Sequence, residues 1–112
     1  MKGIGGNTKL TFQVKTTQPN AIGEQEPIWT DVQTITGWLD LSSGGSNYTT
    51  YSAKVAESTD VFIADYEPLD SRISVENASA IVNGERFDVM WIDDPMGMHQ
   101  QLEIYLKSTG GH

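Results

Sequence analysis

Apolar and polar residues alternate with a period of two through most of this chain, the signature of strands with one buried face. Leu10, Phe12 and Val14 fall on one side of a segment whose other side carries Lys9, Thr11, Gln13 and Lys15. Pro19 to Pro27, with Gly23, predicts a turn-rich connection. Ile28 to Leu41 is rich in β-formers, and Gly37 inside it predicts a bulge or bend. Asp60 to Tyr66 places Val61 and Ile63 opposite Phe62 and Ala64, so both faces are apolar and the strand is either central or covered by a partner. Asn83-Gly84 separates Ala80–Val82 from a longer apolar run, which predicts a hairpin with a type I′ turn. In that run Phe87, Val89 and Trp91 share one face, and Met90 and Ile92 the other. An Asp-Asp-Pro-Met-Gly corner at residues 93–97 leads to a last strand, with Leu102, Ile104 and Leu106 inward and Gln101, Glu103 and Tyr105 outward. No helix is predicted with assurance and no repeat of fixed period occurs. The fold class is therefore all-β, a small antiparallel barrel or sandwich of about six to eight short strands.

One stretch breaks the alternation. Residues 42–58 open with Ser42-Ser43-Gly44-Gly45-Ser46-Asn47, continue through Tyr48-Thr49-Thr50-Tyr51, and end in Ser52–Ser58. The final piece is open between one or two helical turns and loop. A long loop in a small compact domain is uncommon and more often functional than not. With 112 residues the chain is expected to form one domain, with residues 1–7 and 109–112 flexible.

Composition narrows the function by exclusion. There is no cysteine, so disulfides, thiolate metal sites and cysteine nucleophiles are excluded. The net charge is −8, and the seven basic residues are scattered, which argues against affinity for a phosphate backbone. No apolar run suggests a signal peptide, and none approaches the roughly 20 residues of a membrane span. His99 has no acidic or hydroxyl partner at a telling offset, and His112 is the last residue. Asp93-Asp94 before Pro95 reads as a turn, and the acidic residues between 57 and 70 lack calcium-loop spacing. Gly3-Ile4-Gly5-Gly6 lacks the strand, helix and Lys-Ser/Thr of a phosphate loop. No catalytic residue, cofactor or metal site is nominated. Trp29, Trp38, Phe62, Met90 and Trp91 are candidate core or subunit-contact anchors. Tyr48 and Tyr51, on the long loop, are candidates for contact with a partner.

The order of these features resembles the head–tail joining family of tailed bacteriophages, the head-completion or stopper proteins. The shared elements are the N-terminal strand, Ile28-Trp29-Thr30-Asp31-Val32, the long loop, Asp60–Tyr66, Arg72-Ile73, Gly84–Val89, Asp94-Pro95 and Leu102–Leu106. The likeness spans about residues 8–108. The chain departs from the family pattern at Asp65-Tyr66, at Phe87, and in an insertion-like Glu76-Asn77-Ala78-Ser79.

This resemblance implies a non-enzymatic protein of the virion, made in the host cytoplasm and placed at the head–tail interface. It implies a homo-oligomeric ring, typically a dodecamer, in contact with the portal or adaptor and with tail proteins. Packaged DNA would pass through without specific binding. The implied channel loop falls at Gly44, Gly45, Ser46, Asn47, Tyr48, Thr49, Thr50 and Tyr51. Two other readings stay open: a carbohydrate- or ligand-binding β-sandwich, suggested by the aromatic residues, and a tail-terminator or minor tail protein.

Overall fold

The computed structural model describes residues 5–41 and 58–109. Six antiparallel strands close into a barrel in the order β1-β2-β3-β6-β5-β4. They are β1 (Thr8–Pro19), β2 (Gln25–Leu41), β3 (Asp60–Asp65), β4 (Ala78–Val82), β5 (Glu85–Asp93) and β6 (Gln101–Ser108). The predicted barrel is thus present, but two of its strands are long: β1 has 12 residues and β2 has 17.

The interior is set by the alternation. Leu10, Phe12 and Val14 point inward from β1, Phe62 and Ala64 from β3, and Leu102, Ile104 and Leu106 from β6, all essentially inaccessible. Ala80 lies between Phe12 and Phe87 in one row across β1, β4 and β5, so a small side chain separates two rings. Such alternation of large and small residues fills a narrow barrel without voids.

The hairpin turn at Asn83-Gly84 has positive φ at both residues, 53° and 80°, as a type I′ turn requires. The residues around the first turn form less of a loop than their composition predicts. Strand pairing continues out to Pro19↔Gln25, and Asn20 closes the end by accepting the N–H groups of Ile22 and Glu24 on Oδ1. Beyond Lys15 the two strands pair only with each other, so Thr16–Pro19 and Gln25–Ile28 form a projecting ribbon. Cross-strand pairing overrides the turn-forming bias of Pro19 and Pro27 here.

Three details correct the sequence reading. The bulge in β2 lies at Val32, where pairing jumps from Phe12↔Gln33 to Gln13↔Asp31, and not at Gly37. Gly37 instead serves close approach: a Cβ there would stand 2.2 Å from the Ile63 carbonyl oxygen and 2.9 Å from the Phe62 ring. It is also the residue at which β2 pairs with Thr8 of β1 on one edge and Ala64 of β3 on the other. Second, β5 carries a bulge at Met90, so Val89 faces Leu106 but Trp91 faces Tyr105. The extra residue reverses the phase. Ile92 therefore packs on the core, and Trp91 lies on the outer surface with Tyr105. Third, β4 begins at Ala78, before the apolar run at Ala80–Val82 from which the strand was read, with Ala78 and Ser79 paired with Val14 and Gln13.

Residues 66–77 cover one end of the barrel, with Tyr66, Leu69, Ile73 and Val75 packed on the core. Gln33 fastens this segment, donating to the Pro68 carbonyl at 3.0 Å and accepting the Asp70 N–H at 2.6 Å. Asn77 closes its far end, accepting the Ser74 N–H and donating to the Arg72 carbonyl.

Gly37→Ala is expected to destabilise the protein by about 1–3 kcal/mol, because neither the Ile63 backbone nor the packed Phe62 ring has room to move away. Ile22→Ala, at a side chain 78% exposed, is the comparison expected to shift stability by less than about 0.5 kcal/mol. Urea unfolding of both variants checks this.

Candidate interaction surfaces

The residues nominated as anchors are dispersed by the barrel. Phe62 is fully buried in the core. Trp29 and Trp38 are 38% and 46% exposed on the outside. Met90 is the bulge residue and half-buried, and Trp91 is a half-buried outer residue. The channel-loop residues Gly44, Gly45, Ser46, Asn47, Tyr48, Thr49, Thr50 and Tyr51 lie outside the described residues.

Trp29 is held by a neighbour remote in sequence. Arg86 of β5 reaches across β4, donating to Ser79 Oγ at 3.0 Å, and places its guanidinium 4.8 Å from the Trp29 ring centroid. Ser79 Oγ donates in turn to the Phe87 carbonyl at 3.0 Å. The ring and the cation thereby fix the point where the projecting ribbon leaves the barrel. Beside it lies an open groove of about 360 Å³, lined in part by Lys15, Trp29, Asn77, Asp88 and Met90. Its walls mix both charges with one aromatic ring, which suits a protein contact better than a small apolar ligand.

A second, polar depression of about 280 Å³ lies among Gly5, Gly6, Thr34, Thr36, Asp65 and Glu67. Gly5 donates its N–H to Asp65 Oδ2 at 3.0 Å, which draws the chain before β1 onto β3.

His99 does have an acidic partner. Asp94 accepts the His99 N–H on Oδ1 at 2.9 Å and meets the imidazole Nδ1 with Oδ2. The ring also stacks on Tyr66, with centroids 4.5 Å apart. The signal was the Asp-Pro turn itself: a 3-10 turn at Pro95–Gly97 folds the chain back, bringing position 99 onto position 94. These contacts hold the corner before β6 and stabilise the positive φ of His99, 57°. They form no triad, and the described residues contain no cluster of three metal-ligating side chains.

Asp70 and Arg72 form a bidentate pair, with Nε donating to Oδ1 at 2.9 Å and Nη2 to Oδ2 at 2.8 Å. These side-chain hydrogen bonds, then the Arg72 N–H on the same carboxylate, lower the Asp70 pKa from 3.8 to about 2. The pair shapes the loop that leads to Ile73 and the barrel end.

A closed barrel with a buried apolar interior and aromatic and charged groups on its outer face defines a small all-β barrel protein. The chain belongs to the phage head completion protein family, whose model matches residues 1–109. It is accordingly a structural protein of the bacteriophage virion. No curated protein matches it. The solution structure of protein SF1141 from Shigella flexneri 2a is similar, with a TM-score of 0.65 at 15% identity over 100% of both chains. That likeness concerns the fold.

Because the Asp70 pKa is depressed, its stabilising effect is complete above pH 3.8 and lost as pH falls through about 2. Asp70→Asn is expected to flatten the loss of stability between pH 4 and pH 2. Unfolding midpoints measured across that window, for wild type and variant, check the sign. Arg86→Gln is expected to cost about 0.5–1 kcal/mol through loss of the contact with Trp29, read as a shifted Trp fluorescence maximum and a lower urea midpoint.

Proposed function

We propose that this protein acts at the phage neck, as a ring below the portal or adaptor that closes the DNA channel after packaging and receives the tail. Membership of the head completion family carries the reading. A protein with this task needs a rigid body, which the closed six-stranded barrel supplies. It also needs outer surfaces for neighbours, and Trp38, at 46% exposure, stands on one. The net charge of −8 suits a passage through which DNA slides without adhering. Residues 42–58 are the segment assigned to the channel in this reading. No catalysis is required: the work is binding, positioning and obstruction. The ring is homo-oligomeric, and its partners are portal or adaptor proteins on one side and tail proteins on the other.

Deleting the gene from its phage and imaging the lysate by electron microscopy tests the proposal. Heads that have lost their DNA beside complete, unattached tails are the expected outcome. Normal infectious particles would overturn it, and DNA-filled heads with aberrant tails would move the protein to the tail.

A further inference from the structure

The hairpin of β1 and β2 runs past the barrel as a ribbon that its own chain leaves open. From Thr16 to Ile28 every residue is exposed except Asn20, which is half-buried in the turn. At the rise of an antiparallel strand, the paired residues carry the turn about 13 Å beyond Lys15. The tip is fixed by Asn20. Its Oδ1 accepts the N–H groups of Ile22 and Glu24, each at 3.0 Å. Its carbonyl accepts the Gly23 N–H at 3.0 Å, and its own N–H donates to the Glu24 carbonyl at 2.8 Å. Ile22, 78% exposed, is thus held out on a preset turn. An aliphatic side chain presented in this way is an anchor whose ordering cost is met before binding.

Both edges of the ribbon are closed to strand addition. The Lys15 N–H points away from β2, to the Asn77 carbonyl at 3.1 Å. By the two-residue period of a strand, the nitrogens of Thr17 and Pro19 point the same way. Thr17 is paired with Pro27, and opposed residues of an antiparallel pair turn their polar groups both inward or both outward. The Pro27 nitrogen therefore lies on the outer edge of β2. Each free edge carries a proline, which lacks the donor that a further strand needs. Contact is left to the side chains of the tip and faces. Glu24 and Glu26 are the only charged residues from 16 to 28, and neither forms an ion pair among the described residues. Glu26 shares a face with Ile28, through the pairs Gln18↔Glu26 and Thr16↔Ile28.

We infer that this ribbon is an arm that inserts into a different protein, at an apolar pocket bordered by basic side chains. Ile22 is the anchor, and Glu24 and Glu26 meet the rim. Charge decides against a second copy of this chain as the receiver. The groove beside Trp29 sets Glu76 and Asp88 against Lys15, and the polar depression near Gly5 contains Asp65 and Glu67. Depressions with that excess of carboxylates, on a chain of net charge −8, repel an acidic arm. The inference goes beyond the neck reading, since it holds wherever in the virion the partner lies.

Photo-crosslinking tests it. The residue p-benzoylphenylalanine replaces Ile22 in the chain carried by intact virions, or Ala21 should the first variant not assemble. After irradiation the virions are blotted for this protein, and the linked peptide is sequenced by mass spectrometry. The expected product is an adduct with a different virion protein. Ile22→Asp, and separately Glu24→Lys with Glu26→Lys, are expected to lower the phage titre at least about tenfold. The urea midpoint of each purified variant is expected to stay at the wild-type value. Adducts that join only copies of this chain would overturn the choice of partner. Absence of adducts, or an unchanged titre in both variants, would overturn the arm. A titre lost with Ile22→Asp but kept on charge reversal would overturn the basic rim. An adduct to a protein remote from the neck would keep the arm and overturn the neck reading.

Discussion

Closure of the barrel at Gly37 is the constraint on which the rest depends. Strand β2 spends most of its length beside β1 and its last residues beside β3, and Gly37 is the residue shared by both pairings. The approach of Ile63 and Phe62 leaves no volume for a side chain at that point. The Phe62 ring lies against the space that a side chain at position 37 would take. Gly6, whose own Cβ would collide with the Gly37 backbone, brings the segment before β1 against the same point.

Two bulges complete the shape and decide which residues are available to partners. Val32 turns β2 so that Asp31 and Trp29 lie outward on the β1 side, where Asp31 accepts from Gln13 at 2.6 Å and Trp29 meets Arg86. Met90 turns β5 so that Trp91 joins Tyr105 outside while Ile92 returns to the core. Each bulge costs one unpaired residue and changes the face of every residue beyond it. For a virion protein whose task is contact with neighbours, this is a means of putting large aromatic groups outside a barrel without emptying its interior.

The corner segments do a different job. Gln33, Asn77, Asp94 and the Asp70–Arg72 pair each satisfy backbone groups of irregular chain and hold apolar residues over the barrel end. Leu69, Ile73 and Val75 close the core there at little cost in unpaired polar groups, since the side chains of these few residues replace the missing ladder. The irregular stretch between β3 and β4 is thus part of the barrel's rigidity.

The alternation of Leu10, Phe12 and Val14, the Asn83-Gly84 turn and the inward run Leu102, Ile104, Leu106 were legible in the sequence, because a period of two and a demand for positive φ are local properties. The all-β class followed from them, and the order of the motifs carried the family resemblance. What the sequence could not specify was any feature that depends on a partner strand. The phase of Trp91 turns on a bulge measured against β6, the role of Gly37 on the carbonyl of Ile63, and the partner of His99 on the folding back of the Asp94 corner. The contact of Arg86 with Trp29 likewise exists only once β1 and β4 have closed the barrel, since the two residues are far apart along the chain and are brought together by strand order alone.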